Sequence, residues 1–227
     1  MLVGMKRTLC AVLIAIVFVV SPHAQAKGAL RIYLARHGET DWNVDHRLQG
    51  WTDRPLDAKG KQQAADLAAA LKGVHLDAIY SSTLSRSHDT AETVAASMKP
   101  ALPVKMLEGL RERNYGRFQG GSDQDPEYMR RMNAWDDAME GGETMNQLMA
   151  RAKASIDQIR REHPSGNVLV VGHRITNQTI LRALLDLTPE QATKIDQAND
   201  EVYLIEFDPG AKPRLWKLVR DRNLGDL

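Results

Sequence analysis

Asn167-Val168-Leu169-Val170-Val171-Gly172-His173 is the stretch from which the fold of this chain can be read. Residues 168–171 are all branched aliphatics, so the segment has no polar face and suits a strand buried on both sides, as in the middle of a parallel sheet. Gly172 and His173 end it where a strand-to-helix loop belongs. A second stretch has the same layout. Leu30-Arg31-Ile32-Tyr33-Leu34 alternates as a strand does, and Ala35-Arg36-His37-Gly38-Glu39-Thr40 breaks it with an Arg-His-Gly turn. In open α/β sheets, residues just past the carboxyl ends of strands are the ones presented to ligands.

Working outward, residues 58–71 carry Ala64, Leu67, Ala68 and Leu71 at helical spacing and close at Gly73. A short strand over 77–81 runs through Ser82-Thr83-Leu84-Ser85-Arg86 into a helix that Lys99-Pro100 ends at about Met98. Residues 104–107 form a third strand, and 110–116 an irregular loop. The spacing predicts a helix over 127–139, a break at Gly141-Gly142, and a long helix over 144–162. After His173 comes a helix from about Thr176 to Leu185. Strands over 202–207 and 214–219, joined by Asp208-Pro209-Gly210, close the chain as a hairpin. Strands alternating with helices imply an α/β domain with a mostly parallel sheet and helices on both faces.

At 227 residues and 43% hydrophobic content the chain can bury a full core, and one domain is the natural expectation. The formal charge of +1 is nearly balanced and no basic stripe is present, which argues against a general nucleic-acid binder. Lys6 and Arg7, an apolar run over 9–20, and Ala24-Gln25-Ala26 have the three-part layout of a signal peptide over 1–26, cleaved after Ala26. Lys6 and Arg7 are the only charges there, so cleavage takes the net charge from +1 to −1. Twelve apolar residues fall short of the roughly 20 that span a bilayer. Periplasmic or secreted location is therefore expected, without stable membrane association once the leader is removed; an uncleaved anchor is the alternative. Cys10, the only cysteine, lies inside the leader, so residues 27–227 need neither disulfide nor thiolate.

His37, Arg86, Glu112 and His173 each follow a different predicted strand, so one sheet edge can gather all four. Two histidines, the arginines Arg36 and Arg86, and one glutamate make a coherent set for phosphoryl transfer without a metal or other cofactor. The arginines neutralise and orient phosphate oxygens. A neutral imidazole attacks phosphorus, and neighbouring cations favour that neutral form. The second histidine donates to an equatorial oxygen, and a protonated Glu112 gives its proton to the departing alkoxide.

These pieces resemble the histidine phosphatase superfamily, also called phosphoglycerate mutase-like, from Leu30 to about Phe207. The resemblance is carried by Arg36-His37-Gly38-Glu39-Thr40 with Asn43, Leu84-Ser85-Arg86 with Thr90-Ala91, Leu110-Arg111-Glu112 with Tyr115-Gly116, Gly141-Gly142-Glu143-Thr144, and Val170-Val171-Gly172-His173. It implies a three-layer α/β/α sandwich and one histidine phosphatase domain over 27–227. It further implies His37 as the residue phosphorylated, Arg36, Arg86 and His173 around the phosphoryl group, and Glu112 as proton donor. Asn43, Gln49 and Gly50 are accessory substrate contacts on the same grounds. One departure stands out. Many members place Ser or Thr before the second histidine and Gly after it, where this chain has Gly172 and Arg174. Arg174 either adds a cation to the pocket or points to solvent.

The expected activity is an exported, metal-independent phosphomonoesterase acting on a small phosphorylated substrate. A phosphoglycerate mutase is the alternative, disfavoured because only 31 positions separate Glu112 from Glu143, whereas family mutases carry a long insertion there. A non-catalytic phosphate-binding module needs neither His37 nor Glu112. His46, His75, His88 and His163 receive no catalytic task, with His88 of interest for its nearness to Arg86. Met129, Arg130, Arg131, Met132 and Trp135 are candidates for a lid over the pocket. Neither the natural substrate nor the oligomeric state can be read from the sequence.

Overall fold

A computed structural model describes residues 28–217 and the backbone of Arg222 and Asn223. The leader expected over 1–26 and the last two residues of the second hairpin strand lie outside the described residues.

The strands are β1 (Leu30–Arg36), β2 (Ala78–Ser81), β3 (Val104–Met106), β4 (Gly166–Gly172), β5 (Val202–Phe207), β6 (Arg214–Lys217) and β7 (Arg222–Asn223). They form one sheet in the order β3-β2-β4-β1-β5-β6-β7. The first four strands are mutually parallel, and β5, β6 and β7 add antiparallel neighbours at one side. Register brings the carboxyl ends level. Arg36 sits opposite Gly172, and Ser81 lies opposite both Val171 and Met106. The pairing carries on past the strand ends, where His37 N donates to Gly172 O at 3.1 Å and Ser82 N to Val171 O at 3.2 Å.

Strand alternation divides the apolar side chains between two helical layers. Ile32, Leu34, Val168 and Val170 face α5 (Met145–Glu162) and α6 (Arg174–Leu185), meeting Ala152, Ile156, Ile159, Ile180 and Leu181. Tyr33, Ala35, Leu169 and Val171 face α2 (Ala58–Ala70) and α3 (Ser85–Ser97), meeting Ala68, Ala91, Val94 and Ala95. Val168 to Val171 are fully buried, which is why this strand carries no polar residue there. Each such side chain contributes about 1.5–3 kcal/mol on burial, so a single charge at Val170 breaks the sheet. The result is a three-layer α/β/α sandwich around a mostly parallel sheet.

Thr144 starts α5 with a reciprocal cap: its hydroxyl accepts from Gln147 N, and Gln147 Oε1 accepts from Thr144 N. Met145, Leu148, Ala152, Ile156 and Ile159 then make its buried stripe. Two helices differ from the sequence expectation. The helix expected over 127–139 stops after one turn and a half, at Pro126–Arg131, because side chains take over its backbone groups. Arg113 donates to the carbonyls of Met132 and Asp137, while the Asp137 carboxylate accepts from Met139 N and pairs with Arg131. The helix expected from about Thr176 begins at Arg174, with His173 in extended backbone at its N-cap.

Candidate active site

The level strand ends open into a cavity of about 430 Å³. His37 follows β1 and His173 follows β4, so the parallel register of those two strands brings the rings together, with centroids 5.1 Å apart and planes tilted by 57°. Both are buried. Arg36 closes β1, and Arg86 lies in the first turn of α3, which follows β2. Glu112 comes from the loop after β3, between two short 3-10 turns at Glu108–Leu110 and Gly116–Phe118. Four parallel strand ends therefore deliver these five residues to one place.

Backbone atoms fix the geometry. Arg86 is fully buried, with its guanidinium donating to Gly50 O at 2.8 Å and Thr52 O at 3.1 Å. Arg36 donates to Gln197 O at 2.8 Å. Burial pulls both guanidinium groups down to about 10, and they remain cationic at neutral pH. Arg174 adds to the lowering at Arg36. The His37 ring approaches Gly38 O through Nδ1 at 2.7 Å. A carbonyl only accepts, so Nδ1 carries the proton and Nε2 holds the free lone pair. Burial, followed by Arg86 and Arg36, holds His37 well below the ordinary imidazole value. Burial, Arg86 and His37 do the same to His173. Both rings are neutral bases at neutral pH.

The Nε atoms of Arg36 and Arg86 and both ring nitrogens of His173 are buried without a hydrogen-bond partner among the described residues. Leaving a buried polar group unpaired costs about 1–3 kcal/mol. Several such groups around one point, most of them donors, favour an anion with several acceptor oxygens.

Glu112 is buried and fastened at both oxygens. Oε1 accepts from Arg113 N, Thr176 N and Thr176 Oγ1, and Oε2 accepts from Ile175 N at 3.2 Å. Its backbone is clamped by Arg151, which donates to the carbonyls of Gly109, Arg111 and Glu112 and pairs with Glu143. The Gly-Gly-Glu-Thr motif thus serves the site from behind, Glu143 holding the arginine that positions the Glu112 loop.

Of the accessory residues, Asn43, Gln49, Gly50 and Arg174 all line the cavity. Asn43 commits its Oδ1 to Thr40 in a helix cap, and Gly50, at φ +52°, offers its carbonyl to Arg86. Gln49 keeps a buried Oε1 without a partner among the described residues. Arg174 lies between the two expected orientations, lining the cavity at its edge while partly exposed, with Asp196 as its partner at 2.8 Å. Met129 and Met132 of the expected lid reach the cavity, with Tyr128 beside them, while Arg130, Arg131 and Trp135 do not. His88 pairs with Glu92, away from the rings.

Two glycines have other reasons than approach to a ligand. A Cβ at Gly38 would lie 2.3 Å from Gly60 O, so the turn is glycine because α2 packs onto it. A Cβ at Gly172 would lie 2.3 Å from Asn177 Oδ1. Asn177 is one of the residues that sequence reading passed over; its Nδ2 donates to Ala35 O and Gln197 Oε1. Asn199, which donates to His37 O at 2.7 Å, is another. Thr176 and Asn177 lie three and four residues past His173, on the face of α6 turned back to the strand ends, and nothing in the primary structure marks that. No cluster of three or more His, Cys, Asp or Glu side chains able to hold a metal occurs among the described residues.

An α/β sandwich whose sheet edge sets two facing histidines between two arginines defines a class of phosphate-handling proteins, and comparison with known sequences agrees. The model of the histidine phosphatase superfamily, branch 1, matches residues 32–219, and the chain belongs to that superfamily. It is 32% identical over 168 residues to Uncharacterized phosphatase PhoE of Bacillus subtilis, covering 74% of this chain and 84% of that one. It is 31% identical over 185 residues to Probable phosphoglycerate mutase GpmB of Escherichia coli, covering 78% and 85%. Among solved structures, Bacillus stearothermophilus YhfR aligns with a TM-score of 0.70 at 34% identity, over 80% of this chain and 93% of that one. A mycobacterial glucosyl-3-phosphoglycerate phosphatase aligns with a TM-score of 0.74 at 26% identity, over 82% and 97%.

Proposed function

We propose that this protein is an exported phosphomonoesterase that hydrolyses small phosphate esters through a phosphohistidine on His37. The single observation that carries the reading is the 2.7 Å contact of His37 Nδ1 with Gly38 O, which leaves Nε2 as a free nucleophile beside Arg36, Arg86 and His173. In the first step Nε2 bonds to phosphorus as the bond to the ester oxygen breaks, and Glu112 as general acid passes a proton to the leaving alkoxide. In the second, water attacks phosphorus, Glu112 takes its proton, and the bond to Nε2 breaks to release inorganic phosphate. Arg36 and Arg86 supply the charge neutralisation that a divalent ion supplies elsewhere, with His173 donating to the same oxygens.

The test is a chemical quench during turnover of para-nitrophenyl phosphate, with and without chelator. Acid-labile, alkali-stable phosphate on His37 and undiminished activity in chelator are expected. Label on another residue, or turnover that needs added metal, refutes the mechanism. Export is read from the leader sequence, and a mature amino terminus at Lys27 is the outcome it requires.

The name of the Escherichia coli relative keeps a second reading in play, phosphoryl transfer between positions of a sugar acid. Given phosphoglycerate alone, a mutase interconverts positional isomers, whereas the proposed enzyme releases inorganic phosphate.

A further inference from the structure

Arg174 opens α6 between His173 and Ile175. Its Nε donates to Asp196 Oδ1 at 2.8 Å, and its terminal nitrogens have no hydrogen-bond partner among the described residues. Both Arg174 and Asp196 line the cavity. The other two cavity arginines assigned to phosphate are tied to backbone carbonyls; Arg174 is tied to a carboxylate.

Its surroundings show which part of a substrate it would meet. The cations acting most strongly on His37 are Arg86 and Arg36, whereas Arg174 acts on Arg36, Tyr115 and Tyr128. Arg174 lines the cavity together with Tyr115 and Tyr128. The next residue, Ile175, donates its N–H to Glu112 Oε2. Glu112 is the group that protonates the leaving oxygen, so Arg174 flanks the side on which the alcohol departs.

We propose that Arg174 and Asp196 form a second anion subsite that selects phosphate monoesters whose alcohol bears an acidic group, a carboxylate or a further phosphate, over esters of neutral alcohols. The inference takes the position of the alcohol from the phosphomonoesterase reading and goes beyond it by naming the substrate class. A guanidinium presents five donors in a planar fork, and Asp196 contacts only its Nε, leaving the terminal pair for an incoming anion. Asp196 is mostly in water, so it yields at little cost. Without a substrate it keeps Arg174 balanced against the nearby Arg36. The Asp196 loop is itself well fixed, since Gln197 O receives Arg36 and Asn199 holds His37 O.

The test uses ligands that cannot be hydrolysed and differ by one group: 3-phosphonopropionate against propylphosphonate, and 4-phosphonobutyrate against butylphosphonate, by calorimetry on the mature protein. In at least one pair the carboxylate should bind about 10–100-fold tighter, as a charged hydrogen-bonded contact does. Propane-1,3-bisphosphonate tells whether a second phosphate serves as well as a carboxylate. Arg174→Gln should bring the ratio close to one, Arg174→Lys should restore part of it, and Asp196→Asn should raise it at least twofold. Three results overturn the proposal: no preference in either pair, a preference that survives Arg174→Gln, or a fall in Asp196→Asn matching that in Arg174→Gln, which makes the pair a structural clamp only. Binding preference without any ester turnover leaves the subsite standing and sinks the phosphatase reading; turnover without preference does the reverse.

Discussion

At the floor of the cavity Arg86 is fully buried with two backbone carbonyls on its guanidinium, whereas at the rim Arg174 is partly exposed and held by one carboxylate that is mostly in water. His37 and His173 belong with Arg86, since the ladder that aligns β1 with β4 also aligns their rings. Met129, half in solvent on the short helix α4 (Pro126–Arg131), belongs with Arg174. The floor takes its geometry from the sheet and can move only if the sheet moves. Salt-screened pairs and short turns hold the rim, so it can be altered at little cost in stability. On the proposed reading, chemistry is placed where the fold is least adjustable and selection where it is most.

The largest effect should come from the floor. In the proposed mechanism His37→Ala removes the attacking nitrogen, and kcat/KM for para-nitrophenyl phosphate should fall by ~10⁴-fold or more. Retention of a hundredth of the activity would mean that the floor does not hold the nucleophile. Next comes Glu112→Gln, which keeps an acceptor oxygen for the Thr176 amide, sets an NH2 group against the Ile175 amide, and carries no acidic proton. Alkyl esters should lose about 10²–10⁴-fold, and para-nitrophenyl phosphate distinctly less because its leaving group needs no proton. Equal losses on both would remove the acid role.

Gly172→Ala tests whether the floor depends on close packing. The new methyl meets Asn177 Oδ1, and Asn177 cannot withdraw without dropping Ala35 O and Gln197 Oε1. A loss of about 1–3 kcal/mol is expected, read as a lower urea midpoint with unchanged slope. An unchanged midpoint would show that the strand end has slack.

Acid separates the two regions in another way. Between pH 7.5 and 5.5 an ordinary imidazole loses about tenfold of its neutral form. His37, held well below its ordinary 6.5, should lose far less, so kcat/KM for para-nitrophenyl phosphate, whose leaving group needs no proton, should stay nearly level across that range once corrected for substrate titration. A tenfold fall centred on 6.5 would contradict the burial argument. Stability, unlike activity, should change across that range. Above 6.5 the folded and unfolded histidines are both neutral; as pH falls below 6.5 the unfolded chain binds protons that His37 and His173 refuse, and stability declines until their own lower values are reached. The rim has no share in this window. Burial pushes the Asp196 acid up but Arg174 brings it below its ordinary value, and Asp196 in turn raises Arg174 against the pull of burial.

The same division explains what the primary structure disclosed. Residues 168–171 announce a strand buried on both faces because no polar side chain interrupts them, and the residues after such strands are the floor. Arg36, His37, Arg86 and His173 were legible for that reason, and the Thr144 cap for its local hydrogen-bond logic. Other residues act over long separations that no spacing rule covers. Arg151 reaches back some forty residues to three carbonyls, and Asn199 reaches His37 O across 162 positions. The broken helix after Arg131 shows the same thing from the opposite side, for its termination lies in Arg113 and Asp137, not in the helix-forming tendency of the segment itself.

Met129→Ala should give the smallest effect, and it is the sharpest check on the comparison because Met129 lines the cavity as His37 does. A side chain nearly half exposed has little apolar area to lose, so stability should change by no more than about 0.5 kcal/mol. Its neighbours at this wall are Tyr128 and Met132, which on the proposed reading bound the space for the alcohol rather than the phosphoryl group. Ethyl phosphate is too small to reach them, and its kcat/KM should move by less than about threefold, or ~0.6 kcal/mol in barrier. A naphthyl ester, which must lie against that wall, should lose more, with the loss in KM rather than kcat, since contacts made equally in ground and transition states do not speed the chemical step. If both esters instead lost kcat together, Met129 would be helping to set the geometry of the reacting groups, and the line drawn between floor and rim would have to move outward to include α4.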